Sequence, residues 1–152
     1  MTFPQVEYFI KSICDQLDIK FKFKKLSPVT RGLFKYPNKI HIDPNNIESF
    51  DMLMNVFFHE LAHWYAYHNN VFPIYHSKNM KKFNLKNNMC TAVRAERWVD
   101  NFGKNTCKQL FPDIKWKNSY QSKEEVKMLR EYVKYSYLNW KFRKCTKKKV
   151  KK

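Results

Sequence analysis

The stretch 55–68, NVFFHELAHWYAYH, sets the hardest condition on how this chain can fold. Val56, Phe57, Phe58, Leu61 and Ala62 make it the most apolar segment, yet His59, Glu60 and His63 stand in its middle. Burying three polar side chains in such surroundings is costly unless they meet partners. Their spacing limits what those partners can be. On an α-helix of roughly 100° per residue, positions 59 and 63 lie about 40° apart and one turn along, so both imidazoles can reach one point. Two imidazoles at one point suit a metal ion, and H-E-x-x-H on a helix is a pattern that binds Zn²⁺. Glu60 projects beside them, close enough to take a proton from a water on the ion without being a ligand itself.

The flanking residues agree with a helix there. The helical pattern runs from Ser49 to about His68, and Asn69-Asn70 and Pro73 end it. Upstream, Val6, Phe9, Ile10, Ile13 and Leu17 recur at helical spacing, with Thr2 as a cap ahead of Pro4. In IKFKFKKL, Ile19, Phe21 and Phe23 alternate with Lys20, Lys22 and Lys24, the signature of a strand with one wet face. GLFKYPNKIHID reads as two short strands around a Pro37-Asn38 turn. The expected order is a helix, a small and mostly antiparallel sheet, and then the motif helix. Downstream, TAVRAERWVDNFGKN reads as a second buried helix, with Ala92, Trp98, Val99 and Phe102 inward. SKEEVKMLREYVKYSYL opens on a capping box, Ser122 to Glu125.

Two histidines do not complete a catalytic zinc site, which takes three protein ligands and an open position. The extended pattern H-E-x-x-H-x-x-G-x-x-H fails, because Asn69 stands where its last histidine belongs. His68 points to the wrong side of a continuous helix. Glu96 and His76 remain as candidates. Four residues after Glu96 comes Asp100, on the same helical face, which suits a ligand backed by a carboxylate that orients one zinc-bound imidazole.

HELAH followed by ERWVDNF resembles the ImmA/IrrE group of zinc metallopeptidases, whose pattern is H-E-L-x-H and then E-x-x-A-[ND]-x-F. Glu96 falls on the ligand Glu, Asp100 on the Asn/Asp and Phe102 on the aromatic. Val99 stands where Ala is usual, and Gly103 where Ala is common. The resemblance covers residues 1–110 and implies an α+β, zincin-like fold of the gluzincin type. It further implies His59, His63 and Glu96 on zinc, Glu60 as general base and a protein or peptide substrate. A second stretch, YHSKNMKKF (75–83), is similar to the SprT-like proteases. Those would make His76 the third ligand and DNA-bound proteins the substrate. If His76 is not a ligand, it and Tyr75 are candidates to donate a hydrogen bond to the tetrahedral intermediate. The strand KIHID is expected to take an extended peptide as an added strand.

The totals bound what else the chain can be. Its 152 residues suit one domain, 1–140, followed by a basic tail, 141–152. Only two glycines occur, which excludes a glycine-rich phosphate loop. Thirty Lys and Arg against 13 Asp and Glu give a formal charge of +17, which attracts polyanions. Nucleic acid, through the basic surface and tail, or an acidic protein surface is a candidate partner, and the plainer alternative is that the lysines serve solubility. The rival class of function is a nucleic-acid or partner-binding protein with a non-catalytic domain, in which Trp116, Tyr120, Tyr135, Tyr137 and Trp140 would stack on bases. Cys14, Cys90, Cys107 and Cys145 form no C-x-x-C pair. No early segment reads as a signal peptide, and no apolar run approaches the roughly 20 residues of a membrane span. A cytoplasmic protein with reduced thiols is the expectation.

Overall fold

A computed structural model describes residues 2–73, 75 and 85–116 (backbone alone at 85–88), with seven helical positions between 123 and 134. The expected capping box at Ser122 and Glu125, Cys145, His76 and the tail 141–152 lie outside the described residues, as do Tyr120, Tyr135, Tyr137 and Trp140.

Helix α1, Phe3–Gln16, forms because Val6, Ile10 and Cys14 recur at helical spacing, and all three are buried. The Thr2 N–H donates to Gln5 Oε1 at 2.7 Å, and Pro4 occupies the first turn, where its missing N–H is no loss. Strands β1 (Lys20–Phe23), β2 (Gly32–Lys35) and β3 (Lys39–Ile42) follow, then a 3₁₀ turn at Pro44–Asn46.

Strand order corrects one expectation. The sheet runs β1-β3-β2, with β3 parallel to β1 and antiparallel to β2, so it is mixed rather than mostly antiparallel. The hairpin folds β3 back beside β2, and β3 then inserts beside β1. Burial explains its central place. Ile40, His41 and Ile42 are all buried, whereas β1 and β2 alternate between exposed and half-buried residues. A second expectation falls with the first. KIHID cannot accept a peptide as an added strand, because β3 is paired on both sides. The edge strand beside the motif helix is β2.

The connection from β1 to β2 is held to the far end of β3. Asp43 Oδ2 accepts from the Leu26 N–H at 2.6 Å, and Asn46 donates to the carbonyls of Ser27 and Thr30. The Leu26 N–H, together with those of the turn, holds the Asp43 carboxyl below its ordinary range despite burial.

Helix α2, Phe50–His68, has the expected bounds. Ser49 Oγ accepts from the Met52 N–H at 3.1 Å and Asp51 lies in the first turn, both favourable at a helix N-terminus. At the other end Asn70 adopts φ 56°. Its N–H reaches the Tyr67 carbonyl, and the Val71 N–H reaches Ala66 at 2.8 Å. That is a Schellman closure, for which Asn is a tolerated residue.

Helix α3, Leu85–Leu110, is longer at both ends than the sequence pattern suggests. Asn87 and Asn88 do not break it, and no proline intervenes before Pro112. Its Ala92, Val93, Ala95 and Val99 are buried. Trp98 and Phe102 are half-buried and stack with Tyr65 of α2. Among the described residues, then, the chain is a small α+β fold in which α1 and α2 pack on a mixed three-stranded sheet and α3 packs on α2. Val6, Ile10, Ile40, Ile42, Met54, Phe57 and Phe58 form its centre, and each contributes about 1.5–3 kcal/mol by burial.

Candidate metal centre

Helix α2 supplies His59 and His63, and α3 supplies Glu96 and Asp100. His59 Nε2 lies 3.1 Å from Glu96 Oε2, and His63 Nε2 lies 3.4 Å from Glu96 Oε1. One donor atom from each of His59, His63 and Glu96 falls within 4.8 Å of the other two, so the three could hold one metal ion. The imidazole side chains remain 19% and 15% exposed against 6% for Glu96. One side of the cluster is therefore open to solvent. Cys14 and Cys107 are buried elsewhere and lie outside this donor group.

Behind His59 stands Asp100, with Oδ1 3.7 Å from Nδ1 and accepting from Trp116 Nε1 at 3.2 Å. Its other oxygen is buried without a hydrogen-bond partner. A small rotation of the carboxylate would bring one oxygen to the Nδ1–H, fixing the tautomer that turns Nε2 toward the ion. Trp116 is thereby committed. It packs on the core and braces Asp100, and is not a free platform for a base.

Glu60 is buried yet lies outside the donor group. Its Oε2 accepts from the Phe34 N–H of edge strand β2 at 2.7 Å. Burial raises its pKa above the ordinary 4.5, against the pull of His63 and His59. His59 and Glu96 behave oppositely. Burial alone would lower the His59 pKa, but Asp100 and Glu96 hold it well above 6.5. Burial would raise Glu96, but His63 and His59 hold it well below 4.5. Without an ion, His59 thus favours its protonated form and Glu96 its ionised form.

Tyr75 reaches the site as well. After Asn70 the chain turns again at Phe72, a left-handed residue at φ 49°, whose carbonyl accepts from the Tyr75 N–H at 3.0 Å. The Tyr75 hydroxyl then donates to Glu96 Oε1. His68, on the far side of α2, bonds the Pro37 carbonyl at 3.0 Å and takes no part.

Sequence reading missed both glycines as parts of this site. A Cβ at Gly32 would stand 2.6 Å from Val56 Cγ1 and 2.8 Å from Glu60 Cγ. One at Gly103 would stand 2.7 Å from the Phe58 carbonyl oxygen and 3.2 Å from the His59 nitrogen. The first lets β2 close on Glu60, and the second lets α3 close on α2 beside His59. A chain with only two glycines has placed both against its H-E-x-x-H segment, and that scarcity was the available signal.

A separate apolar cleft of about 300 Å³, lined by residues such as Phe3, Phe23, Phe50 and Leu53, includes none of these side chains. Comparison of the chain with protein-family models, curated proteins and solved structures finds no match. Among the described residues no helix is long and apolar enough to cross a membrane.

Proposed function

We propose that the chain is a zinc-dependent metallopeptidase with a zincin-like catalytic domain. The observation that carries this reading is the convergence of His59, His63 and Glu96 from two helices, with Glu60 fastened beside them by a strand edge. Two imidazoles, one carboxylate and an open side match the donor set of a catalytic zinc. Bound there, zinc would polarise a scissile carbonyl and lower the pKa of a coordinated water toward about 7.

The chain's own residues supply the rest. Glu60, with its raised pKa, accepts a proton from the attacking water and later gives it to the leaving amine. The Phe34 N–H keeps one of its oxygens fixed, so the other is presented without a search through rotamers. Asp100, braced by Trp116, orients His59. The Tyr75 hydroxyl donates to Glu96 Oε1 in the metal-free protein and would have to turn from it to donate to the oxyanion of the tetrahedral intermediate. An extended peptide would lie along edge strand β2, pairing with backbone groups other than the Phe34 N–H, which Glu60 holds. This reading agrees with the resemblance to the ImmA/IrrE group and favours Glu96 over His76 as third ligand.

Glu60→Gln tests it. The substitution keeps the shape and the hydrogen bond from Phe34 but cannot take a proton. Zinc content should stay at one per chain while cleavage of a protein substrate falls by at least about 100-fold. Undiminished cleavage by the variant would remove Glu60 from the mechanism.

A further inference from the structure

The face of the sheet turned away from the helices carries a second arrangement of side chains. Ile40 and Ile42 of β3 point into the core, so Lys39 and His41 point out. In register with Lys39 stand Lys20 on β1 and Lys35 on β2, and in register with His41 stand Lys22 and Leu33. Lys24 continues the β1 row, its N–H bonded to the Ile42 carbonyl. All five lysines are exposed. Among the described residues none of them takes part in an ion pair.

His41 sits at the centre of this face and is the second observation. It is only 9% exposed, and its Nδ1 is buried without a hydrogen-bond partner. A buried, unsatisfied ring nitrogen costs free energy that a fold would ordinarily avoid. Its charged neighbours, Lys35, Lys24, Lys39 and Lys22, come from all three strands and are all cationic. Burial first, and then those four charges, lower its pKa below the ordinary value, so the ring is held neutral within a positive field. The face therefore carries an excess of positive charge that no ion pair offsets among the described residues.

We propose that this sheet face, built from Lys22, Lys24, Lys35 and Lys39 around His41, binds the phosphate backbone of nucleic acid. Alternate residues along a strand are about 6.6 Å apart and neighbouring strands about 4.8 Å apart, so the cations form a flat lattice that long lysine stems can fit to successive phosphates. Leu33 is the one apolar side chain among them, which leaves no wedge to enter a lipid layer and no aromatic to read a base. Binding is therefore electrostatic and indifferent to sequence. The proposal is independent of the metal centre.

The test uses the full chain and a fluorescent 30-base-pair DNA duplex of mixed sequence. Lys22, Lys35 and Lys39 are changed to Ser together. A control changes Lys147, Lys148 and Lys149 of the tail to Ser, removing equal charge. The face variant should bind at least about tenfold more weakly at 0.1 M salt, and its salt slope should be shallower by about 0.9 for each phosphate it no longer neutralises. The control should be weakened less on both measures. Three results would overturn the proposal: no duplex binding by wild type, equal weakening of the two variants, or unchanged duplex binding by the face variant. In the last case, loss of binding to phosphatidylserine vesicles would assign the face to a membrane surface. Unfolding does not confuse the outcome, because all three lysines are solvent-exposed and far-UV circular dichroism reports the fold of each variant.

Discussion

His59 and His41 are both largely withdrawn from water, and burial alone would strip the charge from each. Their neighbours then drive them apart. Around His59 stand Asp100, Glu96 and Glu60, and the ring keeps its proton well above the ordinary 6.5. Around His41 stand four lysines, and the ring loses its proton more readily than usual. The same side chain thus serves two opposite environments, one with an excess of acceptors and the other with an excess of donors. Desolvation sets the stakes, and the sign of the surrounding charge decides the outcome. The acceptor-rich site is suited to a cation and the donor-rich face to an anion.

Removing an acid from the first environment should produce the largest change short of deleting a ligand. Asp100→Ala leaves His59, His63 and Glu96 in place but frees the His59 ring to turn. Zinc affinity should fall by about 10–100-fold, the range of partners that orient a metal-bound imidazole. In the metal-free protein the His59 pKa should drop toward that of an unassisted histidine, while His41 stays where it is. Zinc competition assays and histidine NMR titrations measure the two effects. An unchanged affinity would show that Asp100 only neutralises charge at the back of the site.

A smaller effect comes from pH. Because the His59 pKa is raised in the metal-free protein, zinc must displace a proton at any pH below that raised value. Apparent affinity should therefore rise with pH, by at most about tenfold per unit, and level off once His59 is already neutral in the free protein. On the proposed peptidase reading, the raised pKa of Glu60 would put the acid limb of activity above the ordinary 4.5. Calorimetric titrations in buffers of different ionisation enthalpy would count the proton released. A pH-independent affinity between about pH 6 and 8 would mean that His59 does not carry the proton its neighbours assign to it.

What the sequence disclosed follows the range of each interaction. The motif helix and its Ser49 cap were legible because capping and periodicity act within a few residues. Glu96 and Asp100 were legible as a pair because four residues on a helix share a face. The place of β3 between β1 and β2 was not, since strand order is set by pairing between distant segments. Trp116 illustrates the same limit: base stacking was only the rival expectation for it, and the fold shows it bracing Asp100. Gly32 and Gly103 were invisible for a further reason. Each is defined by what would collide with a side chain, and those atoms belong to α2. The basic charge was plain from composition, but its concentration around a buried histidine required the strand register.

The central claim is that His59, His63 and Glu96 form one zinc site, and zinc-edge X-ray absorption on the purified chain tests it most directly. Wild type should bind one zinc with only nitrogen and oxygen neighbours, at about 2.0–2.1 Å, and with scattering from two imidazoles. Glu96→Ala should lose zinc by a larger factor than Asp100→Ala, because it removes a charged ligand rather than its support. His76→Ala should give the wild-type spectrum. A sulfur neighbour, a third imidazole that disappears in His76→Ala, or full zinc binding by Glu96→Ala would contradict the account.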